Sequence, residues 1–243
     1  AMITKRTVLI LGAGASKPYG YPTGKDIKEK IIEELSRQDS GICRKLAQLH
    51  YDYHRDIQPF AQTFARSRLS TIDKFIARNP HHAKIAKITI TLLLAACETL
   101  EDHIKRDDWY DILYDEALMD GVSDIEDFSN NKLAVVTFNY DRFFEASLFS
   151  ALDHAFEKAS RDTIIRAVRS LPVIHLYGSI GIIPWMEGDS SSRDYGDQDL
   201  DRLSVCSEEI SMIGENRTSN SFSQARTSIK NAEAIYILGF GYH

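Results

Sequence analysis

Thr7-Val8-Leu9-Ile10-Leu11-Gly12-Ala13-Gly14-Ala15-Ser16 is an apolar run that stops at a turn of small residues. A short segment rich in β-branched residues and leucine, ended by two glycines, reads as a buried strand feeding a tight turn. If a helix follows, its free N–H groups and positive dipole end offer a site for phosphate or pyrophosphate. Gly12 and Gly14 allow positive φ and close backbone approach, and Ser16 brings a hydroxyl donor or an N-cap. The dinucleotide fingerprint asks for a third glycine, which is absent here. A glycine-rich strand-to-helix turn that holds no ligand has the same pattern, so both readings stand at this point.

The rest of the chain alternates in the same way. Thr23-Gly24-Lys25-Asp26 opens a helix running to about Arg37, with Ile27, Ile31, Ile32 and Leu35 at helical spacing. A long middle stretch, roughly residues 41–119, has few glycines and repeated helical periodicity, and reads as a mostly helical insertion. Strands are predicted over 132–138, 171–177 and 234–239, and helices over 141–152 and 220–231. Strands separated by helices imply right-handed crossovers and a parallel sheet with helices on both faces, an α/β, Rossmann-like fold. One domain over residues 3–243 is expected. In such sheets ligands bind at the carboxyl ends of the strands, near the topological switch point.

Composition excludes several function classes. With 43% hydrophobic residues the chain can bury a proper core, and a net charge of −6 argues against nucleic acid as the main partner. Cys43, Cys97 and Cys206 are far apart, with no C-x-x-C and no histidine at ligand spacing, so no zinc site is expected. That sparse, odd set points to a reducing compartment, and no signal peptide follows Ala1-Met2, so a cytoplasmic location is expected. The most apolar run, Ile88–Cys97, is about half the length of a membrane span and reads as a core helix. Adjacent His81-His82 cannot face one target on a helix and read as surface residues. The aspartates of 194–201 lack the pattern of a calcium loop and read as a mobile, solvated lid within a polar loop over 187–204.

The strand ends carry the chemistry. After the first turn come Thr137-Phe138-Asn139-Tyr140-Asp141, then His175-Leu176-Tyr177-Gly178-Ser179, then Gly239-Phe240-Gly241-Tyr242-His243. Strand alternation places His175 and Tyr177 on one face. Helix capping alone accounts for Asn139 and Asp141, and a satisfied core histidine accounts for His175. Capping does not account for a histidine on the neighbouring strand, so the four ends together point to a crevice.

This set of motifs resembles the sirtuin superfamily, which carries a G-A-G-x-S turn, a T-Q-N-x-D segment, an H-G pair and a late G-x-S turn in that order. It is most similar to the zinc-free prokaryotic sirtuin-like NAD hydrolases, often effector domains in defence against phage. Gly20-Tyr21-Pro22-Thr23-Gly24 and Ser70-Thr71-Ile72-Asp73-Lys74-Phe75-Ile76 are similar to that branch as well. The resemblance implies NAD as substrate, cleaved to nicotinamide and ADP-ribose without a metal. It implies that Gly12, Ala13, Gly14 and Ser16 contact the pyrophosphate, and that Thr23, Thr137, Gly178 and Ser179 line the NAD site. Asn139 is placed at the nicotinamide ribose, Asp141 at the nicotinamide amide, and Gly239 and Gly241 on the adenosine side. His175 is the expected general base, with Tyr177 as neighbour or substitute, because Tyr177 stands where the family places the histidine of H-G. The missing zinc module disfavours protein deacylation or ADP-ribosyl transfer, and the alternatives to an enzyme are an NAD or ADP-ribose sensor and a regulatory or oligomerisation module that uses the helical insertion as its interface. The resemblance further implies a homo-oligomer or a fused or associated sensor domain. It leaves NAD against NADP open, and implies either one domain of a longer protein or an incomplete adenine pocket.

Overall fold

The computed structural model describes residues 2–100, 108–186, 191–212 and 220–241. Strands β1 (Thr7–Leu11), β2 (Leu133–Thr137), β3 (Val173–His175) and β4 (Ala234–Leu238) form one parallel sheet in the order β3-β2-β1-β4. Leu9 lies opposite Val135 on one side and Tyr236 on the other, and Val136 pairs with Ile174. The chain moves outward from β1 to β2 and β3, then crosses back to the far side of β1 for β4. The order of strands therefore reverses between β1 and β4, the position at which doubly wound sheets take ligands.

Strand alternation divides the sheet into two faces. Leu9, Leu11, Leu133 and Val135 enter the main core, whereas Val8, Ile10, Ala134, Val136 and Ile174 enter a smaller one. The main core is built with α1 (Gly24–Leu35), α2 (Gly41–Gln48), α3 (Gln58–Arg66), α4 (Ile72–Ile76), α5 (Ala83–Ala95) and α6 (Trp109–Asp111). It also takes α7 (Phe143–Ala155), α8 (Arg161–Arg169) and α9 (Leu200–Glu208), while α10 (Asn220–Asn231) covers the smaller face through Phe222 and Ala225. The fold is α/β and Rossmann-like, with helices around a parallel sheet.

Local chemistry explains the helices. Thr23 and Asp26 form a reciprocal capping box at the start of α1, whose Ile27, Ile31 and Leu35 are buried. The described part of the middle stretch is mostly helical, including π-helical turns at Tyr53–Ile57 and Ile112–Met119. Residues 85, 86 and 88–95 of α5 are buried, so it runs apolar on all sides through the core. Its Thr89 and Thr91 hydroxyls donate to Ile85 O and Lys87 O, so both are satisfied within the helix. Among the described residues no helix is long and apolar enough to cross a membrane.

Four expectations change. No helix follows the first turn directly: single 3-10 turns at Ala13–Ala15 and Lys17–Tyr19 intervene, and α1 begins only at Gly24. Pro18 at the start of the second turn and Gly20 at φ +85° break the chain into these short pieces. Strand β3 ends at His175, and the chain turns at 176–177. Tyr177 therefore leaves the alternation and packs on the α10 side, its ring 5.9 Å from Phe138 and 5.5 Å from Phe222. The segment 194–201 is anchored rather than a solvated lid, because Arg193 is buried and binds its backbone, and Asp199 caps α9. Finally, the partly buried His82 stacks on Phe75 at 5.8 Å instead of standing on the surface. Residues 187–190 of the polar loop, with Tyr242 and His243, lie outside the described residues. At the sheet edge, Ile235, Tyr236 and Ile237 of β4 stay largely exposed.

Candidate functional site

The carboxyl ends of β1 and β4 meet backbone to backbone. Gly12 N–H donates to Leu238 O, Gly14 N–H to Gly239 O and Ala15 N–H to Gly12 O, each at 2.9 Å. Gly239 sits at φ +76°, and a Cβ there would overlap the Ala15 nitrogen. A Cβ on Gly12 would lie 2.7 Å from Gly239 O, and one on Gly14 would lie 2.9 Å from the same atom. These glycines are therefore required by the crossing of two turns, with or without a ligand. From the other side, Trp109 Nε1–H donates to Ala15 O at 3.1 Å. The amides of Gly12, Gly14 and Ala15 are engaged within the protein, and two 3-10 turns separate them from the start of α1. That is a departure from the phosphate cradle expected of this turn.

The carboxyl ends of β2 and β3 meet through side chains. Asn139 is 92% buried, with relative exposure of 8%. Its Nδ2 donates to Gly12 O at 3.1 Å and to Ser16 Oγ at 3.2 Å. Because Gly12 O can only accept, the amide orientation is fixed, and Asn139 Oδ1 is left buried without a partner. Ser16 in turn donates to Asp141 Oδ1 at 3.1 Å, an oxygen that also accepts Phe143 N–H at 3.2 Å. Thr137 supports the turn by accepting Asn139 N–H on Oγ1 at 3.0 Å. His175 closes the corner: Nδ1 lies 2.9 Å from Asn139 O, and Nε2 lies 2.8 Å from Glu145 Oε1. Glu145, on the first turn of α7, is buried, and its Oε2 has no partner.

Burial sets the electrostatics. It pushes the Asp141 carboxyl up to about 6, against the Phe143 amide, the Ser16 hydroxyl and the nearby His175 that favour its charge. For His175, burial works against the charged ring, but Glu145, the Asn139 carbonyl and Asp141 together outweigh it and raise its pKa. Immediately after Asp141, Arg142 donates to Glu98 Oε1 through Nε at 2.9 Å and Nη2 at 2.6 Å. Arg193 grips both oxygens of Glu98 at 2.7 and 2.8 Å and holds Asp197 O at 2.6 Å. All three side chains are buried, so this triad pins the segment after β2, the end of α5 and the 191–199 loop to one another.

Of the residues expected at the site, Gly12, Ser16, Thr137, Asn139, Asp141 and His175 are joined in one hydrogen-bonded cluster. Ala13, Gly14 and Gly239 belong to the β1–β4 junction. Thr23 is consumed in the α1 cap, and the Ser179 hydroxyl donates to Gly181 O at 2.9 Å. Gly178 has φ +78° and crosses the Glu209 carbonyl so closely that no side chain fits. Gly241 lines an apolar hollow with Phe138, Phe222 and Phe240, on the α10 face and away from the cluster. Tyr177 lies on that face as well, so it does not stand in for His175. Glu145 and the Glu98 triad escaped the sequence reading. A lone carboxylate in the apolar stretch Phe143-Phe144-Glu145-Ala146 was the available signal for the first.

Among the described residues no group of three or more His, Cys, Asp or Glu side chains could hold a metal ion. No family model matches the chain, and neither the curated proteins nor the solved structures contain a match.

Proposed function

We propose that this chain is an NAD glycohydrolase, releasing nicotinamide and ADP-ribose. The observation that carries the reading is the buried, unpartnered Asn139 Oδ1 at the carboxyl edge of the sheet. An acceptor held so rigidly and left unmet asks for a donor, and a ribose hydroxyl supplies one. Cleavage of the glycosidic bond builds positive charge on the ribose, and the buried carboxyl of Asp141, which shares the Ser16 hydroxyl with Asn139, would put negative charge beside it. Asp141, within reach of Ser16, is the group that would orient the nicotinamide amide. The role in phage defence and the oligomeric or sensor-linked state belong to this proposal on the strength of the motif resemblance alone, and the cytoplasmic setting on the sparse cysteines and the sequence after Ala1-Met2.

The test is nicotinamide release from NAD by the purified protein, followed by chromatography. Asn139→Ala is expected to lower release at least about 100-fold, the scale of one lost transition-state hydrogen bond in a preorganised site. Undiminished release by a folded Asn139→Ala protein overturns the assignment.

A second reading, an NAD or ADP-ribose sensor, is favoured by one specific observation. Both ring nitrogens of His175 are occupied, so its ring does not stand ready to take a substrate proton. Calorimetric binding of NAD with no turnover in any oligomeric state selects the sensor.

A further inference from the structure

His175 lies between two acceptors. The Asn139 carbonyl, 2.9 Å from Nδ1, cannot donate, so Nδ1 carries a proton. On the opposite nitrogen, Glu145 Oε1 stands at 2.8 Å. We propose that His175 is an imidazolium clamp held by Glu145 as its positioning residue, fixing the Asn139 backbone so that function is lost as the ring deprotonates. What the clamped asparagine does rests on the glycohydrolase reading; the state of the ring does not.

The physical case starts from Glu145. It emerges from α7 between Phe144 and Ala146, is buried, and has one oxygen without a partner. A buried carboxylate so placed is strongly unfavourable unless a cation sits against it, and His175 is the group in hydrogen-bond contact with it. The charged groups that face the ring are Glu145 from α7 and Asp141 from the turn after β2, both acidic. The neighbours of His175 within β3, Ile174 and Val173, are apolar. Both of these charges favour the imidazolium.

The lever is short. Asn139 is tied through Nδ2 to Gly12 O and Ser16 Oγ, and through its carbonyl to His175. Holding the carbonyl sets the peptide plane after Asn139, and with it the direction of the unmet Oδ1. A general base needs one open ring nitrogen, and His175 has neither free. Clamp and base thus predict opposite pH dependences for the same residue: a clamp fails as pH rises through the ring's ionisation, and a base gains.

Two measurements on the whole protein test this. The first follows the ring nitrogens of His175 by NMR in nitrogen-15-labelled protein, with the resonance assigned through its proximity to Asn139. Wild-type protein is expected to keep both ring nitrogens protonated at pH 7, whereas Glu145→Gln loses the second proton at least about one pH unit lower, tenfold in proton affinity. A neutral single tautomer in the wild type at pH 7 overturns the clamp. The second is the pH profile of nicotinamide release. The expected kcat falls on the alkaline side, and in Glu145→Gln that limb moves to lower pH, with KM changed less than about threefold. A kcat that rises with pH through the ring's ionisation overturns the clamp in favour of the base. Absence of nicotinamide from the wild type at every pH overturns the glycohydrolase reading instead, and the NMR result then decides the clamp by itself.

Discussion

The two corners of the sheet's carboxyl edge are built on opposite principles. At the β1–β4 corner, Gly12, Gly14 and Gly239 let two backbone turns touch, and the amides of Gly12, Gly14 and Ala15 find acceptors inside the protein. At the β2–β3 corner, the contacts run through Asn139, Asp141, His175 and Glu145, and two oxygens remain buried without donors. The three amides of the first corner are met without a ligand, and the two oxygens of the second are not. Glycines at a strand end therefore report how closely backbones approach, and the two unmet oxygens of the second corner are what the proposed ligand would satisfy.

Breaking the first corner is expected to give the largest effect. Gly239→Ala places a Cβ against the Ala15 nitrogen at a φ of +76°, a clash joined to backbone strain. A loss of about 3 kcal/mol or more is expected in urea unfolding, without any ligand present. Gly14→Ala, whose Cβ would lie 2.9 Å from Gly239 O, is expected to lose about 1–3 kcal/mol. Gly24→Ala is the control, since nothing lies within 4 Å of the added atom. If Gly14→Ala unfolds like wild type and loses only NAD binding, the glycine serves a ligand and the contrast between the corners collapses.

The second corner is broken more selectively by Asn139→Ala. Nicotinamide release falls steeply, while stability changes by only about 1–3 kcal/mol, the cost of leaving a buried carbonyl such as Gly12 O without its donor. The separation of the two effects is the signature of a site that is preorganised for a ligand rather than for folding.

How much of this was legible in the sequence follows from the range of each interaction. The strands and α10 were readable because alternation and helical period are local patterns. The residues of the polar cluster were readable too, since Asn139, Asp141 and His175 stand at strand ends, where few hydrogen-bonding side chains are needed for the fold. Three features were not. A strand, two glycines and a serine look the same before an α-helix and before two 3-10 turns, so the dipole argument attached to Ser16 was lost. The end of β3 at His175 is set by packing of Tyr177 against Phe138 and Phe222, which no period-two pattern records. Glu98 meets Arg142 and Arg193 across 44 and 95 residues, and only the fold brings such partners together.

The effect that reads the second corner's electrostatics directly is one of pH. Asp141 has its carboxyl pushed up to about 6 by burial, above the ordinary carboxylate range. The folded protein thus holds a proton there that the unfolded chain releases, so stability falls as pH rises from about 4 through about 6 and stays lower above it. Asp141→Asn keeps an oxygen to accept the Ser16 hydroxyl and the Phe143 amide but carries no charge. It is expected to be more stable than wild type at pH 8 by about 1–3 kcal/mol, with the advantage vanishing near pH 4. His175, whose pKa is also raised, contributes its own fall only at higher pH, as the ring deprotonates above the usual imidazole range. Surface carboxylates held below their ordinary values, such as Asp26 and Glu233, act in the opposite direction and only at lower pH. Thermal melts of both proteins from pH 4 to pH 8 therefore read Asp141, together with its share in holding the His175 charge, in the difference. A difference that stays flat across that range means the corner is wet and its carboxyl ordinary, and the contrast with the dry, closed glycine corner would then rest on hydrogen bonding alone.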